Sequence, residues 1–319
     1  MIVLNDVSKT YGNKDIVKNL SLHVHPGELC VLLGQSGCGK STTLHMINKL
    51  EKKNSGKIYI GGEDTDSLDD VKLRRNIGYV VQSISLFPNM NVYDNISIVL
   101  KLLKKNKNEI NKRVHELFEL IGLDYETYHK KFPSQLSGGE AQRVGVARAL
   151  AANPKVLLMD EPFAAIDPLK RKQLQDEFLK IQKSIGITVI FVTHDISEAI
   201  KLGDKIALMN EGKIVLLGTP TEIIKNMDEK FSKKFFGKEI FINILERFKI
   251  SQVQLAHDVT SNIFIDNDAT LKTALSLMIE KGEKSLTVKN KNGEILGSIS
   301  IENILSVFSF NKEGGINEK

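Results

Sequence analysis

Tryptophan is absent from the 319 residues, and cysteine occurs only twice, as Cys30 and Cys38. Cys30 sits in an apolar run and Cys38 in the glycine-bearing stretch behind it, a placement that excludes a disulfide-stapled scaffold and fits a reducing compartment. Cys38 is read as a small residue tolerated in its loop rather than as a catalytic thiol. No run approaches the ~18 uncharged apolar residues of a membrane-spanning helix. Met1 to Asp6 carries no basic stretch ahead of an apolar core, so no secretory signal is expected. Charge of one sign is also in short supply. Lys and Arg number 44 against 39 acidic residues, and a net +5 is too small an excess to argue for nucleic acid. Basic residues cluster at 101–107, read as a solvated helix face, and again between Lys225 and Lys249, where contact with an anionic membrane surface is the alternative. What remains is an ordinary globular composition, 41% hydrophobic and 26% charged, long enough for two domains or for one with an appendage.

Against that background one stretch stands out: Gly34-Gln35-Ser36-Gly37-Cys38-Gly39-Lys40-Ser41-Thr42. It follows the apolar run Leu29 to Leu33 and precedes a helix-like run from Thr43 to Leu50. Strand, glycine-rich turn, then helix is the context a phosphate-binding P-loop requires, and the spacing G-x-x-x-x-G-K-S is met in full. Glycines let successive backbone N–H groups curl around phosphate oxygens. The helix start adds free N–H groups and the positive end of its dipole. Lys40 can reach the β- and γ-phosphates, and the Ser41 hydroxyl can ligate Mg2+.

Along the chain, residues 2–7 and 16–24 alternate apolar and polar like antiparallel strands. Short apolar runs follow at 29–33, 57–60, 77–81, 156–159, 187–192, 205–209 and 214–217, with helical periodicity over 92–152, 169–184 and 196–202. This alternation predicts an α/β fold with mostly parallel central strands and antiparallel hairpins at the front and back of the sheet. Residues 228–254 read as a basic, helix-like connector with aromatics Phe231, Phe235, Phe236 and Phe241. Past Leu255 the rhythm changes to helix (around 271–278), strand (285–288), strand (295–300) and helix (302–308), before a polar tail, 311–319, expected to be disordered.

The carboxylates that a nucleotide site needs come 120 residues beyond Lys40. Asp160 ends a buried apolar run, where it can serve as a hard oxygen ligand on the Mg2+ side. Glu161 follows at the strand's C-terminal end, where open α/β sheets bind ligands, and can orient and deprotonate a water. His194 tops the next apolar strand, which favours a γ-phosphate contact, and Gln82 ends another strand and could touch Mg2+ or the attacking water. Ser137-Gly138-Gly139 opens a helix and forms a second anion-binding nest. One ATP cannot easily use both nests within a compact chain. A head-to-tail pair of chains resolves this.

These motifs together resemble the ATP-binding subunit of an ABC transporter, over residues 1 to about 225. The P-loop is at 34–42, the glutamine loop at Gln82, the LSGGE sequence at 136–140, the acidic strand end at 156–161, a dimer-contact loop at Ala165-Ile166-Asp167 and a switch histidine at His194. The resemblance implies that Tyr11 stacks on adenine. It implies a P-loop NTPase cassette with a mostly parallel core sheet, an antiparallel β subdomain and a helical subdomain at about 92–152, spanning residues 1–227. Residues 255–310 resemble a single CBS motif, a small α+β regulatory domain; in related proteins such motifs bind adenosine ligands or sense ionic strength. Met46 to Leu50, Ser55 to Ile60, Asp167-Pro168-Leu169 with Arg171, and Thr193 to Ile196 are similar to importers of quaternary-amine osmoprotectants such as glycine betaine, carnitine or choline. The implied activity is ATP hydrolysis coupled to import. The implied partners are a second copy of the chain, transmembrane permease subunits docking near Gln82 and Phe87-Pro88, and an extracellular solute-binding protein, with no nucleic acid. The implied place is the cytoplasmic face of the membrane. An importer for another small solute such as an amino acid, or a soluble ATPase acting on nucleic acid or ribosomes, is the alternative.

Overall fold

The computed structural model describes residues 1–82, 85–164, 166–226, 242, 244–256 and 261–306. It divides into two compact units, Met1–Asp195 with Leu202–Thr219, and Ile196–Lys201 with Pro220–Lys319. The tail at 311–319 and the aromatics Phe231, Phe235, Phe236 and Phe241 lie outside the described residues.

In the first unit, β1 (Ile2–Tyr11) and β2 (Lys14–Val24) form a hairpin. They are followed by β3 (Leu29–Leu33), α1 (Lys40–Ile47), β4 (Ser55–Ile60) and the short β5 (Glu63–Asp64). Next come α2 (Asp70–Arg75), β6 (Ile77–Val80), α3 (Val92–Leu102), α4 (Lys107–Leu120), the one-turn α5 (Tyr125–Tyr128) and α6 (Gly138–Leu150). The order then runs β7 (Val156–Asp160), α7 (Pro168–Ile185), β8 (Thr188–Thr193), α8 (Ile196–Leu202), β9 (Lys205–Asn210) and β10 (Lys213–Gly218). All but the first six residues of α8 belong to the first unit as divided above.

The central sheet has the order β10-β9-β3-β8-β7-β6, parallel except for the β9–β10 pair. Every residue of β3, β7 and β8 is buried, as a parallel sheet covered on both faces demands. That is why these strands read as unbroken apolar runs. The β1–β2 hairpin does not flank this sheet. It makes a separate antiparallel sheet, β2-β1-β4-β5, which corrects the placement of both hairpins on one sheet and agrees with a distinct antiparallel subdomain. The physical reason is the one-sided burial of β1, whose Ile2, Leu4 and Val7 enter the core while its other face stays polar, so that β4 can pair along its free edge. The short β5 and α2 carry too few apolar residues to announce themselves in the sequence.

The helical stretch 92–152 is interrupted. Asn91 caps α3, Asn106 caps α4 in a reciprocal box with Glu109, and Ser137 caps α6 with Glu140. These helices bury Val92, Ile96, Leu100, Val114, Leu117, Phe118, Val144 and Ala147. Lys101 and Lys105 pair with Asp94 and Glu109, in keeping with a solvated basic face. One buried polar residue organises the entry to α3. The fully buried Asn95 accepts from Phe87 N at 2.8 Å and donates to the carbonyls of Phe87, Met90 and Asn91.

The second unit contains α9 (Pro220–Asn226), β11 (Phe264–Asp266), α10 (Leu271–Lys281), β12 (Ser285–Lys289), β13 (Ile295–Ser300) and α11 (Ile301–Ser306). Strand β12 pairs in parallel with β11 and antiparallel with β13. Ile265, Leu271, Ala274, Met278, Leu286, Val288, Ile299 and Ile304 form its core. Strand β11 was not foreseen because it is three residues long with a single inward side chain.

Replacing Asn95 with Ala strands the Phe87 amide and takes the donor from the Met90 carbonyl, and is expected to cost about 2 kcal/mol. The urea midpoint of the variant checks this; a midpoint equal to the parent's would mean that water satisfies the loop just as well.

Candidate functional site

Parallel pairing brings four strand ends level. Leu33 sits opposite Thr193, Asp160 opposite Val192, and Val80 opposite Met159. The loops that leave β3, β8, β7 and β6 therefore emerge side by side along one edge of the sheet, the place where open α/β sheets bind ligands. They carry Gly34 to Lys40, His194, Glu161 and Gln82.

Packing dictates the shape of the loop after β3. A Cβ on Gly34 would lie 2.3 Å from the Met209 carbonyl oxygen, and one on Gly39 would lie 2.8 Å from that of Ile16. Gly39 also has φ +106°, which disfavours any side chain. Lys40, at 5% exposure, folds its ammonium back onto the loop and donates to the carbonyls of Gly34 at 2.7 Å and Gln35 at 2.9 Å. Gln35, Ser36, Gly37 and Cys38 complete the loop, and Ser41 and Thr42 start α1 behind it. Burial raises the Cys38 thiol above its ordinary value and pushes Cys30 up to about 12, so neither is held as a thiolate.

Two hard-oxygen side chains meet beneath the loop. Ser41 Oγ donates to Asp160 Oδ1 at 3.0 Å. Burial raises the Asp160 carboxyl pKa, and the Ser41 bond opposes the shift only in part. Next to it, Glu161 adopts φ +43°, an uncommon conformation for a side-chain-bearing residue, and its amide is tied to the Val192 carbonyl at 3.0 Å. Its Oε2 receives His194 Nδ1 at 3.1 Å and Gln82 Nε2 at 3.4 Å. A carboxylate acceptor at Nδ1 places a ring proton on that nitrogen. Glu161 Oε1 carries no bond among the described contacts, so it remains available as a base. His194 is 61% exposed while Glu161 is 19% exposed, so the imidazole is steered by its partners rather than by packing.

The structure thus joins Lys40, Ser41, Asp160, Glu161, Gln82 and His194 in one contiguous cluster. Tyr11 and Ser137-Gly138-Gly139 lie on other elements. Tyr11 ends β1 as an exposed ring with the Lys9 ammonium 4.6 Å above it. Ser137 caps α6, its amide donating to Glu140 Oε2 at 2.7 Å, and Tyr128 holds the other oxygen of Glu140. A Cβ on Gly138 would meet nothing within 4 Å. Of the contact loop, Ala165 lies outside the described residues, while Ile166 and Asp167 are followed by α7. In the second unit, Asn303 spends its Oδ1 on Ser300 N and Oγ, both at 2.8 Å, and its Nδ2 on the Gln254 carbonyl at 3.3 Å. Two supporting roles escaped the sequence reading. Asn95 gives no signal because its partners are backbone atoms. Asp195 enters that reading only as part of the stretch 193–196, and its pairing with Arg171 gives no signal because the two are apart in the chain.

A strand-ending P-loop with an Asp-Glu pair on a parallel strand of the same sheet, one strand removed across β8, defines a nucleoside-triphosphate-binding domain of the P-loop type. The model of the ABC transporter family matches residues 17–164, and that of the CBS domain matches residues 255–309. The chain is 45% identical to the choline transport ATP-binding protein OpuBA of Bacillus subtilis, over 95% of this chain and 79% of that one. It is also 45% identical, with the same coverage, to the glycine betaine/carnitine/choline transport ATP-binding protein OpuCA of the same organism. Among solved structures, a dimeric post-hydrolysis state of the ATP-binding cassette MJ0796 bound to ADP and Pi is similar, at 35% identity and a TM-score of 0.61, covering 69% of this chain and 98% of that one. This chain belongs to the ABC transporter family, as an ATP-binding subunit with a C-terminal CBS domain.

The raised Asp160 pKa has a sign that can be tested. The folded protein holds that proton more tightly than the unfolded chain. Stability from this group is therefore full at acid pH and is lost as pH climbs through the folded-state pKa. Asp160→Asn keeps the shape without the charge. Its urea midpoint is expected to fall less than the parent's between about pH 4 and pH 7; identical pH profiles would mean that burial does not govern this carboxyl.

Proposed function

We propose that this chain is the ATP-hydrolysing, energy-coupling subunit of an importer for quaternary-amine osmoprotectants, acting as a homodimer on the cytoplasmic face of the membrane. The observation that carries the catalytic part is the convergence of four level strand ends on one cluster. The loop from Gly34 to Thr42 cradles the phosphates with backbone N–H groups, and Lys40 neutralises their charge. Its pairing with the loop's own carbonyls keeps this long side chain ordered before the nucleotide arrives.

The donor set suits Mg2+: Ser41 Oγ and Asp160 Oδ1 are hard oxygens already 3.0 Å apart, and the Gln82 amide is joined to the adjoining Glu161. The ion, when bound, supplies charge neutralisation between phosphate oxygens. Glu161 takes a proton from water through Oε1, while Gln82 and His194 hold its Oε2 and so fix the direction in which Oε1 acts. With a proton on both ring nitrogens, His194 keeps Nδ1–H on Glu161 and donates Nε2–H to a γ-phosphate oxygen. Catalysis is then a matter of positioning and charge stabilisation.

A second copy completes the site. The bare face at Gly138, where even a Cβ would touch nothing of its own chain, leaves the amides of Gly138 and Gly139 at the start of α6 open to a phosphate held by the partner. Tyr11, exposed at the end of β1, serves as an adenine platform. Phe87 is a large exposed apolar residue on a stiff support, clamped by Asn95 and lying 5.5 Å from the guanidinium of Arg148. Arg148 also holds Ser85 through its carbonyl and hydroxyl. A rigid apolar knob suits the docking of a permease subunit, and among the described residues no helix is long and apolar enough to cross a membrane. A solute-binding protein would deliver the cargo outside. The choice of cargo is supported by the names of the relatives.

Glu161→Gln is expected to reduce ATP turnover at least a hundredfold while ATP still binds, and to accumulate a dimer in size-exclusion chromatography. Parental turnover in that variant would remove Glu161 from its role. The cargo is tested by uptake of radiolabelled glycine betaine, carnitine and choline in cells that express the chain with its permease. Uptake that is specific for an amino acid instead would overturn the osmoprotectant reading.

A further inference from the structure

His194 is largely exposed, and Glu161 sits in a backbone conformation that side chains resist. Packing does not hold His194 and intrinsic preference does not hold the Glu161 backbone, so other contacts must fix the two turns that carry the pair. On the Glu161 side, two successive short turns link Glu161 to Ile166: Ala164 N donates to the Glu161 carbonyl at 3.2 Å, and Ile166 N to that of Phe163 at 3.2 Å. On the His194 side, Asp195 N donates to Thr193 Oγ1 at 3.0 Å and closes the turn that presents the imidazole.

Arg171, on the first turn of α7, reaches both. Its NH2 donates to the Ile166 carbonyl at 3.0 Å, and its NH1 lies 3.8 Å from Asp195 Oδ2. The two ends of one rigid, planar guanidinium therefore address the segment that follows Glu161 and the residue that follows His194. Only arginine has that fork; a lysine ammonium could serve one partner at a time. The ion pair is partly exposed on both sides, with side-chain exposures of 27% and 34%, and pairs of this kind add little to folding stability. Its consequence is geometric.

We propose that Arg171 is a positioning residue for ATP hydrolysis: a latch between the segment after Glu161 and the turn at His194-Asp195 that keeps the Glu161–His194 pair in register. The latch acts through Glu161 and touches no substrate. It rests on the role assigned to Glu161 above. Because it joins the stretch leading to the dimer-contact loop with the histidine turn, a displacement of either is transmitted to the other, and with it the direction of Glu161 Oε1.

The test uses the full-length protein with MgATP. Arg171→Ala is expected to lower kcat about tenfold to a hundredfold, since small misplacements of a reacting group carry costs of that order, with the KM for ATP within about twofold of the parent's. The thermal midpoint should stay near the parent's. Arg171→Lys should fall between the two, because it retains one arm of the latch. Asp195→Asn should lose turnover to a similar extent, and the double variant should be no worse than the poorer single one, as for two ends of one link. If Arg171→Ala folds poorly, Arg171→Lys and Asp195→Asn carry the comparison. Parental kcat in these variants, or losses that multiply in the double, would overturn the latch. Glu161→Gln measured alongside separates the two ideas: an active Glu161→Gln defeats the role of Glu161 itself, whereas an inactive one beside a fully active Arg171→Ala defeats only the latch.

Discussion

The in-register parallel pairing of β3, β8, β7 and β6 is the constraint on which the rest depends. Strands β3, β7 and β8 are buried on both faces, so a slip of one residue would turn apolar side chains against the wrong neighbours along the whole strand. Burial thus locks the register, and the register in turn levels the strand ends. A P-loop, a carboxylate pair, an imidazole and an amide from four distant parts of the chain then occupy one edge. No residue of the cluster needs to be brought there by a flexible segment.

The core fixes position and the exposed edge keeps chemical freedom. Lys40 and Asp160 are buried beside the sheet, where burial makes their charges costly unless they are partnered. Each has a local partner, the loop carbonyls for Lys40 and the Ser41 hydroxyl for Asp160. Glu161 and His194 stand further out and are held by one another, by Gln82 and by the backbone of their own turns. This division suits the roles proposed above, a constant phosphate grip and water-activating groups that respond to a neighbour. The glycines divide in the same way. Gly34 and Gly39 are small because their own chain crowds them, whereas Gly138 faces open space and its smallness has no use within one copy.

Much of this was legible beforehand, and the reasons are specific. Unbroken apolar runs at 29–33 and 156–159 could only be strands covered on both faces, and the residues that end them were therefore candidates for the edge. The glycine-rich loop declared itself through its spacing, because backbone amides aimed at phosphate demand it. The sheet to which β1 and β2 belong was misjudged, since one-sided alternation tells which face is buried but not which strand pairs with the free edge. Strand β11 and helix α2 were too short to carry a period. Asn95 and the link from Arg171 to Asp195 went unseen because their partners are backbone carbonyls or distant residues, which no local pattern encodes.

The amino-acid order alone determined the inventory: a phosphate-binding turn, a carboxylate pair, a histidine and a capped Ser-Gly-Gly helix start, with a second small α+β unit behind them. These are local facts, set by spacing, backbone conformation and the two periodicities of helix and strand. Only the tertiary structure decided which of them share a site. It put both Gln82 and His194 on a single oxygen of Glu161, left the other oxygen free, and placed Arg171 where it could reach two turns at once. Those outcomes come from strand order and register, which are settled by burial between segments far apart in the chain, and such burial leaves no mark on any one stretch of sequence.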